Sequence, residues 1–291
     1  MAEARTQDRK PEATDGLSRL ASIAGKVIAP VTVVTAVMIY FGWTRTSTTY
    51  AAFGIHHSVL GFSFQDYLFR SIGATFKPAA LLLLVILVAV PAHLGLIKLM
   101  KRGWRKQTVI PPVVAGTALT IIGLLGFLDV VTYRVAWPLV PISLGMGVLL
   151  IGYAMSLWRA ASGTQPSPLG GSDVIDIVTR AAFAAFLGLT LLWSVVSYAQ
   201  LSGLEEAREI ARRPASLPGV VVFAPRPLYL SGGGVRETVL LGDQDSRYYR
   251  YDGLHLLGRA SDRYILLSAQ WRPGMRAVVL PHDPTVRLEF Y

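Results

Sequence analysis

Between residues 22 and 199 the chain holds five separate stretches of about 20 mainly apolar residues, and nothing else constrains its fold as strongly. About 20 such residues, wound as a helix, cross roughly 30 Å of hydrocarbon. Lipid offers no water to satisfy backbone N–H and C=O groups, so only helices and closed barrels span it. Runs such as AALLLLVILVAV are continuous rather than alternating, which selects helices. The expected spans are about Ile23–Trp43, Pro78–Leu99, Val109–Val131, Trp137–Trp158 and Ile177–Ala199. The first begins more than twenty residues in and no small-residue cleavage site follows it, so it reads as a retained span rather than a signal peptide.

The expected fold class is therefore a membrane all-α bundle of about five transmembrane helices with a small C-terminal soluble domain, mostly antiparallel β and α+β in type. Residues 1–21 are polar and read as a disordered cytoplasmic tail. The transmembrane domain covers 22–199 and includes a first outer loop at 44–77. A helix plus β domain fills 200–291.

Composition agrees. Hydrophobic residues make up 52% of the chain and charged residues 16%, against roughly 25% charged in soluble domains. The absence of cysteine excludes disulfides, thiolate catalysis and Cys-based zinc sites. The formal charge is +10, yet residues 200–291 hold twelve Arg against ten acids, and no basic stripe on a soluble face suggests nucleic acid. The expected partner of the basic residues is the lipid bilayer. With the N-terminus inside, the inner segments hold twelve Lys and Arg and the short outer loops hold four, Arg45, Arg70, Lys77 and Arg134. That bias fixes the N-terminus in the cytoplasm and, after five spans, places the C-terminal domain outside the plasma membrane.

Ionisable residues inside spans mark function by default, and few are present. Lys26, Lys98 and Arg180 lie near the inner ends and can snorkel, Asp129 is near an outer end, and His93 alone lies deep. Asp176 and Arg180 are spaced to pair at the inner interface. Ser143/Gly147, Ala181/Ala185 and Ala184/Gly188 follow the small-xxx-small spacing that lets helices approach closely, within one bundle or between copies in a homo-oligomer. The segment ASGTQPSPLGGSD reads as a flexible linker, and residues 132–136 as a tight hairpin link.

In the first outer loop, Ser63 and Asp66 match a capping box, and Phe64, Leu68 and Ile72 recur as on one helix face. A short amphipathic helix is expected there, lying on the outer membrane surface or packed under the C-terminal domain. His56, His57, Phe64, Asp66 and Arg70 form its candidate pore-mouth or interfacial set. Adjacent histidines point in different directions, so His56 and His57 are not a ready metal pair. A pH-sensing role is open to them, because imidazole titrates near neutrality.

Beyond the last span, LEEAREIARR continues as a polar helix that Pro214 stops. Short strands follow at VVVF (220–223), VRETVLL (235–241), RYYRY (247–251), LHLLGR, RYILLSAQW, RAVVLP and VRLEFY, with Asp252-Gly253 expected as a hairpin turn. Asp243 and Asp245 sit in a GDQDS segment and read as turn formers. The triple glycine at 232–234 lacks the Lys of a phosphate loop, and neither G-x-S-x-G nor H-E-x-x-H occurs. Arg247, Tyr249, Arg250, Tyr251, Trp271 and Arg272 form the candidate partner-binding set, since Tyr, Trp and Arg dominate interaction hot spots.

At QDYLFRS (65–71) and YYRYDGLHLLGRASDRYILL (248–267) the chain resembles multi-pass membrane proteins of actinobacteria, from the first span through the C-terminus. The resemblance implies a shared topology with a large first outer loop, and no activity or catalytic residue. The expected function is a non-enzymatic envelope protein whose outer domain binds a partner protein or ligand, with no cofactor. An oligomeric channel capped by that domain is the alternative. An enzyme ranks third for want of convergent carboxylates or histidines. A reporter active only outside the cytoplasm, fused after Tyr291, is expected to give a signal. A signal from a reporter active only inside would remove one span.

Overall fold

The computed structural model describes residues 12–101, 105–128, 139–162, 172–241, 247–260 and 262–291. Five long helices come first: α1 Glu12–Ala51, α2 Phe64–Lys101, α3 Arg105–Phe127, α4 Leu139–Ser162 and α5 Ser172–Arg212. Six strands follow: β1 Gly219–Ala224, β2 Arg236–Leu241, β3 Arg247–Ala260, β4 Arg263–Ser268, β5 Val278–Pro281 and β6 Arg287–Phe290.

Four of the helices are long and apolar enough to cross a membrane among the described residues, within Phe64–Leu99, Val109–Phe127, Leu139–Arg159 and Ile177–Arg212. The expected count of five is thus reduced by one. The difference lies in α1, where most side chains before Val31 fall outside the described set and the remainder turns polar at Thr44–Thr49. Residues 12–21, expected as disordered tail, are the first turns of α1. The link at 132–136, Asp129, Arg134, Trp137, the segment 163–171 and the Asp176 side chain lie outside the described residues.

Helix directions follow from which residues meet. Phe41 stacks on Tyr198, Arg45 Nε donates to Ser202 Oγ, and Thr49 Oγ1 donates to Glu206 Oε2. The offset is 157 at all three levels, so α1 and α5 run parallel. Gly145 faces Thr190 and Gly152 faces Phe183, so α4 runs against α5. Gly116 faces Ile151 and Gly126 faces Val140, so α3 runs against α4. With α2 folded back along α1, direction alternates at every helix, and the C-terminal ends of α1 and α5 arrive together at the sheet.

Close approach explains the glycines. A Cβ on Gly147 would collide with the Thr120 hydroxyl and come within 2.6 Å of the Thr120 backbone nitrogen; one on Gly123 would come within 2.8 Å of Leu144 N. The small residues of α4 therefore serve α3 within the same bundle. Gly188 meets no atom within 4 Å. Every residue of Leu81–Val88 on α2 is exposed, as suits a helix surrounded by lipid. Between α2 and α4, His93 Nδ1 and the Tyr153 hydroxyl lie 2.6 Å apart, an interhelical hydrogen bond between apolar surfaces.

The strands form one antiparallel sheet in the order β5-β4-β3-β1-β6, with β2 also paired to β3. One face, through Ile265 and Leu267, packs on Tyr50, Phe53, Ile55, Leu60 and Ala207 of the helical part. The other buries Val220, Val222, Tyr251, Leu254, Leu266 and Leu280. Shared burial of this kind makes the sheet an extension of the bundle rather than a tethered module.

Replacing Gly147 by Val is expected to cost about 1–3 kcal/mol through overpacking against α3. Gly188→Ala is expected to be neutral or slightly stabilising, by no more than about 1 kcal/mol. Thermal unfolding of both variants in detergent checks the contrast.

Candidate functional site

The expected surface helix in the first loop is not a separate element. Helix α1 runs on to Ala51, held by Thr48 Oγ1 donating to Thr44 O and Thr49 Oγ1 to Arg45 O, and α2 begins at Phe64 and continues unbroken through Pro78. The capping box is present: Ser63 N donates to Asp66 Oδ2 at 2.9 Å and Asp66 N to Ser63 Oγ at 3.2 Å. The apolar face is inverted relative to the sequence reading. Phe64 and Ile72 are exposed, while Tyr67 and Ser71 are buried against Gly42 of α1. Facing lipid, the large apolar side chains stand outside, and the small polar one occupies the helix contact. Arg70 lies 4.4 Å over the Phe62 ring, and its carbonyl accepts from Arg45. His56 stacks on His57, and His57 meets the edge of Trp43 at 5.8 Å.

Where α1, α5 and the sheet meet, charge and aromatic packing combine. Arg45 forms an ion pair with Glu206 at 3.2 Å and bonds Ser202, while Thr49 bonds both Glu206 and Gly203 O. Above them the Tyr50 hydroxyl fills the space a side chain at Gly258 of β3 would need. Trp271 packs edge-on to Phe53 at 4.8 Å and donates from Nε1 to Met275 O.

Strand β3 is the long member of the sheet, at 14 residues. Its first half, through Asp252, pairs with β2 on one side, and its second half, from Leu254, pairs with β4 on that same side. Asp252-Gly253, expected as a hairpin turn, is the point of exchange inside the strand. Gly253 takes φ +82, and a Cβ there would run into Gly234 O. The left-handed conformation that would suit a type I′ turn here makes a β-bulge, across which the pairing with β1 shifts register between Val220 and Val222. β2 with β3 and β3 with β4 pair antiparallel as consecutive strands, and Asp243 and Asp245 fall outside the described residues.

This exchange leaves β2 beyond β4 on the first half of β3, which is paired to β1 as well from Tyr249 on, so that only the tip, Leu240 and Leu241 opposite Tyr248 and Arg247, is a two-stranded ribbon. All six residues of β2 are exposed, and among the described residues β2 pairs with β3 alone. Leu240 stands opposite Tyr248 and Leu241 opposite Arg247. Leu241 is 77% exposed, Val239 51% and Tyr248 46%, with apolar surface on both faces of the ribbon.

The candidate binding residues separate accordingly. Arg247 and Arg272 are exposed, and Tyr249 is half-buried in the sheet core. Arg250 forms an ion pair with Asp252 at 2.8 Å beside the Phe223 ring. Tyr251 is fully buried, its hydroxyl accepting from Leu228 N at 2.7 Å, and burial raises its phenol pKa above the usual value. Trp271 is 5% exposed. Tyr251 and Trp271 are therefore core residues and leave the binding set.

The chain matches no known family, curated protein or solved structure. The residues that carry the ribbon were Val239, Leu240, Leu241 and Tyr248, which sequence reasoning passed over. The signal was present in VRETVLL: three consecutive apolar residues on a strand put apolar side chains on both faces, which a strand with one solvated face does not do.

Trp271→Ala is expected to cost about 3–5 kcal/mol through the lost packing on Phe53. Arg272→Ala is expected to stay within about 0.5 kcal/mol. Thermal unfolding of both variants reads the difference.

Proposed function

We propose that this protein is a non-enzymatic membrane anchor for a docking domain, in which α1 adds a crossing to the four candidate spans, with a cytoplasmic N-terminus and the sheet outside the cell membrane. The alternation of helix direction supports this topology. With α1 counted as a span, the sheet stands on the side opposite the start of α1, and the Lys and Arg bias places that start inside.

The observation that carries the docking role is the unpaired edge of β2. Soluble proteins blunt exposed strand edges with charge, proline or a covering loop. Here the edge bears Val239, Leu240 and Leu241, all exposed. An extended segment of an envelope protein would add to it as a further strand, with backbone hydrogen bonds supplying affinity and alternate side chains supplying selectivity. Arg247 and Arg236 flank the apolar stretch and favour acidic residues in that segment. A pore finds less support in the packing, because Gly116, Gly123 and Gly147 are used between α3 and α4.

A photo-crosslinking amino acid at Leu241 or Tyr248 of the full-length protein in cells is expected to form an adduct with a second, different polypeptide. Leu240→Lys with Leu241→Lys should abolish the adduct at Tyr248 while leaving the amount of protein in the membrane unchanged. An absent adduct, or one that survives both substitutions, contradicts the docking role.

A further inference from the structure

A second surface lies on the opposite side of the sheet, where the chain leaving α1 meets the connection between β4 and β5. The two segments line a half-open cleft of about 720 Å³, within the roughly 300–1,000 Å³ usual for ligand sites. Its walls are apolar, through Phe53, Ile55, Val59 and Met275, and its polar side chains are His56 and Arg276. Phe53 and Ile55 belong to the buried junction core, so the floor is rigid.

Three observations identify the occupant. The first is position. His56 stacks on His57, His57 meets Trp43, and Trp43 stacks on Tyr40 at 5.7 Å. Trp and Tyr gather at the lipid headgroup level, and the ring contacts lead from Trp43, about two turns before the end of α1, to His56 on the lip of the cleft. The second is charge. Arg276 is exposed and has no carboxylate partner among the described residues, and no acid lines the cleft. The third is hydrogen-bonding capacity. Ser58 occupies His56 Nδ1, with its hydroxyl at 2.9 Å and its backbone nitrogen at 3.4 Å, and Nε2 has no hydrogen-bond partner among the described residues.

An apolar floor, a cationic rim and a position at the headgroups suit one class of molecule. We propose that the cleft binds a single anionic phospholipid from the leaflet on the sheet side, with an acyl chain against Val59, Met275 and Val279 and its phosphate on Arg276 and His56. The lipid would seal the junction between helices and sheet. This site is independent of the β2 ribbon and of which side of the membrane the sheet faces.

The test uses the full chain in phosphatidylcholine vesicles doped with a photoactivatable phosphatidylglycerol or, separately, a photoactivatable phosphatidylcholine, each carrying the reactive group in an acyl chain. Labelled peptides are mapped by mass spectrometry. Phosphatidylglycerol is expected to label segments 51–59 and 271–279, with severalfold less labelling there by phosphatidylcholine. Arg276→Ala should lower that labelling severalfold and Val59→Trp, which fills the cleft, should abolish it, while Arg272→Ala leaves it intact. Arg276 is exposed, so its loss does not unfold the domain, and labelling of the lipid-facing helices serves as the internal standard. Labelling confined to α2 and α5, or labelling of the cleft equally by both lipids and unchanged in Arg276→Ala, would overturn the proposal.

Discussion

The parallel pairing of α1 with α5 is the constraint on which the rest of the structure depends. The pair holds one register from Phe41–Tyr198 through Arg45–Ser202 to Thr49–Glu206. Helices distant in sequence can run parallel only if the chain between them reverses an even number of times, and α2, α3 and α4 supply that path. The Arg45–Glu206 ion pair is partly exposed, so its net worth is modest. Its geometric role is larger. Together with Thr49 and Ser202 it fixes the rotation of one helix against the other, and hence where Tyr50 and Ala207 present themselves to the sheet.

The sheet follows from that platform. Ile265 and Leu267 cover the helix tips, and the Tyr50 hydroxyl takes the place that Gly258 leaves open. With one face committed to the bundle and the other closed over Tyr251 and Leu254, exposed apolar side chains remain at the margins, Tyr229, Phe290 and Tyr291 among them, and two such places carry the proposals. One is the ribbon beyond β4, which exists because β3 changes partner at Gly253. The other is the cleft beside Trp271, at the rim of the junction core. The buried residues Phe53, Ile55 and Trp271 beneath the cleft give it a fixed shape, which lowers the ordering cost of binding.

Much of the helical part was legible in the sequence, because a span announces itself through local composition. The limits of α1 and α2 were not. Thr44–Thr49 looks like loop by polarity and the segment from Ser63 to Ile72 like a separate surface helix, but threonine hydroxyls can bond back to the preceding turn and Thr44, Thr46, Thr49, Tyr67 and Ser71 are buried. The strands were legible as apolar runs between turn residues, and VVVF became the buried β1 as its composition implied. Asp252-Gly253 misled because a type I′ turn and a bulge ask the same positive φ of glycine; the neighbouring chain, here Gly234 and β4, decides between them. Tyr251 and Trp271 misled for a related reason. Aromatic residues that anchor interfaces also anchor cores, and burial depends on what folds over them. The ribbon, by contrast, was written in Val239-Leu240-Leu241 and was missed by reading alternation too loosely.

The central claim, that α1 and α5 lie parallel and in register beneath the sheet, can be tested directly because the chain contains no cysteine of its own. Phe41→Cys combined with Tyr198→Cys places two thiols where the rings now stack, and a control pair combines Phe41→Cys with Ile177→Cys near the far end of α5. In membranes treated with a short bifunctional maleimide, the first pair is expected to cross-link within one chain and the control pair to remain open. A cross-link in the control pair and none in the first would mean that the helices run against each other, and the shared platform for the sheet would not exist.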